Sequence, residues 1–262
     1  TNGTLLTHER LKRLLQARPN SLSLSLDGHK ASIHDAIRGI PGSFKRTTRT
    51  IRKLRQLGEQ LGRVPRIRIN SVLQQSNFKY AAQMVEMAGA LQVTELHPMP
   101  VDEKGSRKNR LSRSQIATYN REIAPRVAAA RQAAGFSTAP WMVYPFGLSP
   151  EEIEGSHRGQ YSMGFYAHRP CLSPWMHLFI GWDGETYLCC MTNRRMDSLG
   201  NVARQTLEEI FNGPTMQAVR QRFLALQLEP SCGRCDMVTP ENHMLHHALE
   251  SSSEVLPKPF RS

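Results

Sequence analysis

Ser21-Leu22-Ser23-Leu24-Ser25-Leu26-Asp27-Gly28 alternates polar and apolar residues at every step and then turns. Strict alternation puts the leucines on one face of a strand, and Asp-Gly is a turn signal. Upstream, residues 8–17 carry Leu11, Leu14 and Leu15 at helical spacing until Pro19-Asn20 stops them. Downstream, residues 43–62 read as a helix with Phe44, Ile51, Leu54, Leu57 and Leu61 on one side. Lys45, Arg46, Arg49, Arg52, Lys53 and Arg55 crowd its other sides, a pattern expected of a solvated face. A strand over 66–73, a helix over 78–89 and a strand over 93–97, stopped by Pro98 and Pro100, continue the alternation. Such an order implies parallel strands joined by right-handed helical crossovers, hence an α/β fold. Residues 102–113 read as a polar loop, followed by an Ala-rich helix to about Ala134, bent or broken at Pro125. Residues 140–170 read as an extended linker.

The pattern changes after residue 170. Cys171, Cys189 with Cys190 directly behind it, and the pair Cys232-Gly233-Arg234-Cys235 are the chain's five cysteines. A C-x-x-C pair brings two sulfurs together across a turn, under which Gly233 lets the backbone fold. Two further cysteines complete a four-thiolate set, suited to an iron–sulfur cluster or to structural zinc. A disulfide framework is the weaker alternative in a chain this long without a signal peptide. Between these cysteines, Gly181-Trp182-Asp183-Gly184 predicts a hairpin turn, and Thr206-Leu207-Glu208-Glu209 a capping box that opens a short helix ended at Asn212-Gly213-Pro214. A second helix passes through Val219 and Phe223.

The chain has 262 residues, enough for one large domain or two small ones. Its 34 Lys and Arg against 22 acidic residues give a charge of +12, which favours anionic partners. No apolar run is long enough to cross a bilayer, so no membrane partner is expected, and the reducing cytoplasm is the expected compartment. The start, Thr1-Asn2-Gly3-Thr4-Leu5-Leu6, reads as the end of a strand entering a helix, as though cut.

These residues resemble the radical S-adenosylmethionine (SAM) enzymes that carry a C-terminal SPASM or shorter twitch domain. Thr1 to Leu6 is similar to the family's T-N-G-x-L-L at the end of the third barrel strand. Ser23 to Gly28 resembles its fourth strand, and His34-Asp35-Ala36-Ile37-Arg38-Gly39-Ile40-Pro41-Gly42-Ser43-Phe44 the segment after it. Cys171-Leu172-Ser173-Pro174-Trp175, Asp183 to Cys190, Leu199-Gly200-Asn201-Val202 and Leu207 to Pro214 resemble the auxiliary-cluster domain. The sequence contains no C-x-x-x-C-x-x-C, the motif that holds the family's catalytic cluster.

The resemblance implies a partial (β/α)6 barrel without its N-terminal strands over 1–135, a linker over 136–164, and a SPASM/twitch-like iron–sulfur domain over 165–240. A helix end and a disordered tail over 241–262 complete the expected organisation. It further implies one auxiliary [4Fe–4S] cluster on Cys171, Cys189, Cys232 and Cys235. SAM and a second [4Fe–4S] cluster come only with an N-terminal part. Ser25, Asn70 and Thr1 are the positions the resemblance places near SAM; for Ser25, ordinary strand termination, and for Asn70, a hydrogen-bonded core role, are equal alternatives. No catalytic residue is assigned. The implied activity is hydrogen-atom abstraction from a peptide or small polar substrate with an external electron donor, and the chain alone is expected to be inactive. Two rival readings remain: a basic zinc module binding nucleic acid, disfavoured because the basic residues are scattered, and an inactive radical-SAM-like scaffold. His243, His246 and His247 are expected to face solvent, and His97 stands at a strand end suited to an active site. Cys190 is expected as a buried thiol supporting the ligands.

Overall fold

Period-two alternation produces three parallel strands, β1 (Ser21–Ser25), β2 (Arg66–Leu73) and β3 (Glu95–Pro100), in the order β1-β2-β3. They belong to the first of two units, residues 1–149 and 150–262, in a computed structural model that describes residues 1–103, 106–235 and 239–251. Helix α1 (His8–Gln16) precedes β1, α2 (Ala31–Arg38) and α3 (Ser43–Gln60) connect β1 to β2, and α4 (Ala81–Ala90) connects β2 to β3. Leu24, Ile69 and Leu96 lie in register across the sheet and are buried. The next row, Ser25, Asn70 and His97, is only half-buried. The sheet thus has a sealed apolar face and a polar one, an arrangement that suits the wall of a barrel and not a sheet sandwiched between helices.

Thr1 extends this sheet beyond β1. Its terminal amine donates to the Ser23 carbonyl (3.0 Å), and Ser25 N donates to the Thr1 carbonyl (2.9 Å). That is the parallel ladder pattern, and it sets Thr1 opposite Leu24. The strand-end reading of the first residues therefore has a structural counterpart.

Helix α2 was not expected. It exists because Asp27-Gly28 opens a polar network rather than a simple turn. Asp27, 1% exposed, pairs with Arg38 Nε (2.6 Å) and accepts from Val72 N (2.9 Å), while its own N–H donates to His34 Nδ1 (3.0 Å). Asp35 at the helix end accepts from Gly42 N, Ser43 Oγ and Phe44 N at 2.6–2.8 Å, so one carboxylate caps α3 from outside it. The basic residues Lys45, Arg46, Arg49 and Arg52 of α3 are exposed, as a solvated face requires.

The Ala-rich segment divides into α5 (Arg113–Thr118), a π-helical turn (Tyr119–Ile123) and α6 (Ala124–Ala133). Pro125 has no N–H to offer residue 121, so the chain widens by one turn and restarts with the proline in the first turn of α6. Arg131 of α6 is fully buried: Nη1 donates to the Leu96 carbonyl (2.9 Å), Nη2 pairs with Glu95 (2.6 Å), and Nε donates to the Ser137 carbonyl.

Residues 136–164, expected as a linker, carry α7 (Pro140–Val143) and α8 (Pro150–Arg158) and fall across the boundary between the units. Burial accounts for the correction: Phe136, Val143, Phe146 and Tyr161 are core residues, which extended solvated chain would leave in water.

The second unit continues with α9 (Ser173–Met176) and a small antiparallel sheet of β4 (Phe179–Ile180), β5 (Glu185–Tyr187) and β6 (Gly200–Asn201). The sequence reads the hairpin arms as 175–180 and 185–189; the strands are shorter, because Pro174 starts a helical turn through Trp175. Gly184 closes its turn at φ 82°, donating to the Gly181 carbonyl (3.1 Å). Thr206 and Glu209 form the expected capping box of α10 (Leu207–Asn212), and Pro214 opens α11 (Pro214–Leu224). Helix α12 (Thr239–Ser251) follows; the expected disordered tail lies outside the described residues from 252 onward.

Candidate functional site

Four thiols converge in the second unit. Cys171 precedes α9, Cys189 follows β5, and Cys232 and Cys235 flank a 3-10 turn (Pro230–Arg234) closed by Cys235 N donating to the Cys232 carbonyl (3.1 Å). Gly233 has no unusual φ; its lack of a side chain matters because the Gln160 amide lies where a Cβ would go. Cys171, Cys232 and Cys235 are buried, Cys189 is half-buried, and all four line one cavity with Tyr166, Leu188 and Phe223. Cys190 is exposed, not buried as expected: it stands in the turn after Cys189, closed by Thr192 N donating to the Cys189 carbonyl (3.2 Å), and it is Cys189 that lines the cavity. No disulfide joins any of the five.

Burial, followed by the neighbouring Cys171, Cys189 and Cys235, pushes the Cys232 thiol well above its usual range, and burial raises Cys171 too. Cys171 and Cys232 therefore resist ionisation on their own. A cationic metal group reverses that, holding them as thiolates. The donor set therefore fits an iron–sulfur group. The cavity the four cysteines line measures about 10 Å³. Among the described residues no three or more His, Cys, Asp or Glu are drawn up to hold a single metal ion.

Polar atoms face these sulfurs. Cys171 Sγ lies 3.3 Å from Ser173 Oγ and 3.7 Å from Asn242 Nδ2; Cys189 Sγ lies 3.9 Å from Thr192 Oγ1, and Cys235 Sγ 4.0 Å from the Tyr166 hydroxyl. Sequence reasoning found none of these groups. Ser173 and Thr192 stand within three residues of a cysteine and could have been suspected; Asn242 and Tyr166 arrive from afar. His246 corrects an expectation: it is buried, with Nε2 2.8 Å from the Pro170 carbonyl, whereas His243 and His247 are exposed. A helix anchored along one side buries the histidine on that side.

In the first unit, Ser25, Asn70 and His97 stand side by side on the polar face, and Asn70 Oδ1 is buried without a protein partner. Thr1 is one step out of this row, opposite Leu24. Burial, then the charges of Arg68 and Arg131, lowers the His97 pKa from 6.5 to about 4. Between those values the unfolded chain binds a proton that the folded one refuses. Stability of the first unit should accordingly fall as pH drops from 6.5 towards 4, and His97→Gln should flatten that slope; urea unfolding at stepped pH measures it.

Residues 171–236 match the family described as SPASM, an iron-sulfur cluster-binding domain. The second unit contains a SPASM domain. The structure is similar to that of SuiB from Streptococcus suis, with a TM-score of 0.53 at 13% identity, covering 84% of this chain and 50% of SuiB. That likeness concerns the fold. In sequence, the chain is 36% identical over 97 residues to the AdoMet-dependent heme synthase of Methanosarcina barkeri, covering 37% of this chain and 26% of that protein. The corresponding enzyme of Nitratidesulfovibrio vulgaris is 36% identical over 93 residues, covering 34% and 24%. The matches thus span about a quarter of the length of these curated relatives. The α/β class with a parallel sheet is as expected from the sequence. No helix among the described residues is long and apolar enough to cross a membrane.

Proposed function

We propose that Cys171, Cys189, Cys232 and Cys235 of the SPASM domain hold one auxiliary [4Fe–4S] cluster. The whole protein is then a radical SAM enzyme that abstracts a hydrogen atom from a peptide or small polar substrate. The observation that carries this reading is the convergence of the four thiols, from three separate segments, on one cavity. When bound, such a cluster supplies a one-electron acceptor or an anchor for substrate. The chain's own part is to keep the thiols together, out of water and beside hydrogen-bond donors. Ser25, Asn70 and Thr1 remain our candidates for SAM contacts, with Asn70 Oδ1 offering a buried acceptor. The sequence carries no C-x-x-x-C-x-x-C, so this chain by itself would not cleave SAM.

A peptide substrate draws support from SuiB, which has been solved bound to its precursor peptide SuiA. A tetrapyrrole is the second reading, favoured by the heme synthases among the relatives, and the charge of +12 suits an anionic substrate of that kind. An external electron donor and a cytoplasmic setting belong to the proposal, since thiolate clusters persist where thiols stay reduced.

The test is a reductive titration of the anaerobically reconstituted chain followed by electron paramagnetic resonance. A reversible one-electron signal of a reduced four-iron cluster is expected. A redox-silent protein would overturn the reading.

A further inference from the structure

The matched SPASM segment runs from residue 171 to 236, yet Tyr166, which lines the cavity, and Asn242, 3.7 Å from Cys171 Sγ, lie outside it. Asn242 on α12 is fully buried, and its Oδ1 accepts from Leu172 N at 2.6 Å. A backbone N–H can only meet the oxygen of the amide, which fixes which way it points. Its Nδ2 is thereby aimed at the cavity, 3.7 Å from Cys171 Sγ and 3.4 Å from the Tyr166 hydroxyl oxygen. With that oxygen accepting from Asn242, the phenol proton is left for the sulfurs, Cys235 Sγ at 4.0 Å and Cys171, which Tyr166 also hydrogen-bonds. One relay of donors therefore reaches two of the four proposed ligands. Helix α12 is held for this: His246 donates to the Pro170 carbonyl (2.8 Å), Arg169 pairs with Glu250 (2.6 Å), and the rings of Phe165 and His243 lie 4.0 Å apart.

We propose that Asn242 and Tyr166 are positioning residues that raise the reduction potential of the cluster by donating hydrogen bonds to the Cys171 and Cys235 sulfurs. The inference rests on the cluster reading above. Reduction adds negative charge that spreads onto the sulfurs. An N–H or O–H aimed at them stabilises the reduced form more than the oxidised one, and the dry, apolar surroundings strengthen the effect. Ser173 adds a hydroxyl 3.3 Å from Cys171.

The experiment compares the reconstituted chain with Asn242→Leu and Tyr166→Phe, measuring iron and sulfide per chain and the midpoint potential in a titration monitored by electron paramagnetic resonance. Iron and sulfide should be unchanged in all three. The potential should move to more negative values in both variants, further in Asn242→Leu, which removes the head of the relay. Equal potentials with full iron content would overturn the inference and leave the cluster reading standing. No iron in the parent chain would overturn both. Should Asn242→Leu fail to fold, Tyr166→Phe, which deletes one hydroxyl, decides the question alone.

Discussion

Replacing Cys232 by alanine is expected to empty the second unit of iron, from about four atoms per chain to almost none, while Cys190→Ala leaves the content unchanged. Cys232 is 7% exposed, and the other three thiols of the set act on it electrostatically. Cys190, next to Cys189 in the chain, is exposed. The hydrophobic cluster of this unit includes Cys171, Cys232 and Cys235 themselves beside Leu188, Met216 and Phe223. Its strands are two or three residues long. So small a sheet is marginal alone, and in small metal-dependent modules the metal can contribute on the order of 10 kcal/mol of folding free energy. Thermal unfolding of Cys232→Ala should show the second unit melting well below the parent, with the first unit unaffected. Retained iron and an unchanged melt would remove Cys232 from the ligand set.

Arg131→Ala should be the most damaging single change in the first unit. The guanidinium is 0% exposed and Glu95 15%, and the arginine also satisfies the Leu96 and Ser137 carbonyls. Truncation leaves a carboxylate and two carbonyls without that partner, and breaking a buried pair costs about 3–5 kcal/mol. The double replacement Arg131→Met with Glu95→Leu should recover much of the loss, because no lone charge then remains. Urea denaturation checks both; a loss below about 1 kcal/mol for Arg131→Ala would mean the pair is solvated like a surface salt bridge.

The sheet was legible because its signal is local. Leu22, Leu24 and Leu26 alternate with serine, and Ile67, Ile69 and Ser71 do the same with Arg68 and Asn70. The capping box at Thr206 and the turn at Gly184 follow from a few adjacent residues. What escaped depends on distant partners. Helix α2 is stabilised through Asp27, Arg38 and His34 acting together, and its eight residues show no long apolar period. Helices α7 and α8 arise where aromatic residues scattered among Pro and Gly find a core that no window of sequence displays. His246 and Asn242 share a helix whose periodicity is weak, so the side it buries is settled only by Pro170, Leu172 and Phe165.

For the candidate site, cysteine spacing supplied the four thiols, and the structure adds their convergence and the donors around them. The resemblance favoured Cys189 over Cys190; in the structure Cys189 lines the cavity and Cys190 is exposed. Donor identity could not be read from spacing, since Asn242 and Cys171 are seventy-one residues apart.

The central claim is that these four thiols hold a cluster. The most direct measurement is iron, acid-labile sulfide and zinc per chain after anaerobic reconstitution. The account predicts about four irons and four sulfides with negligible zinc. About one zinc and no sulfide would contradict it, and would make the cysteines a structural zinc site.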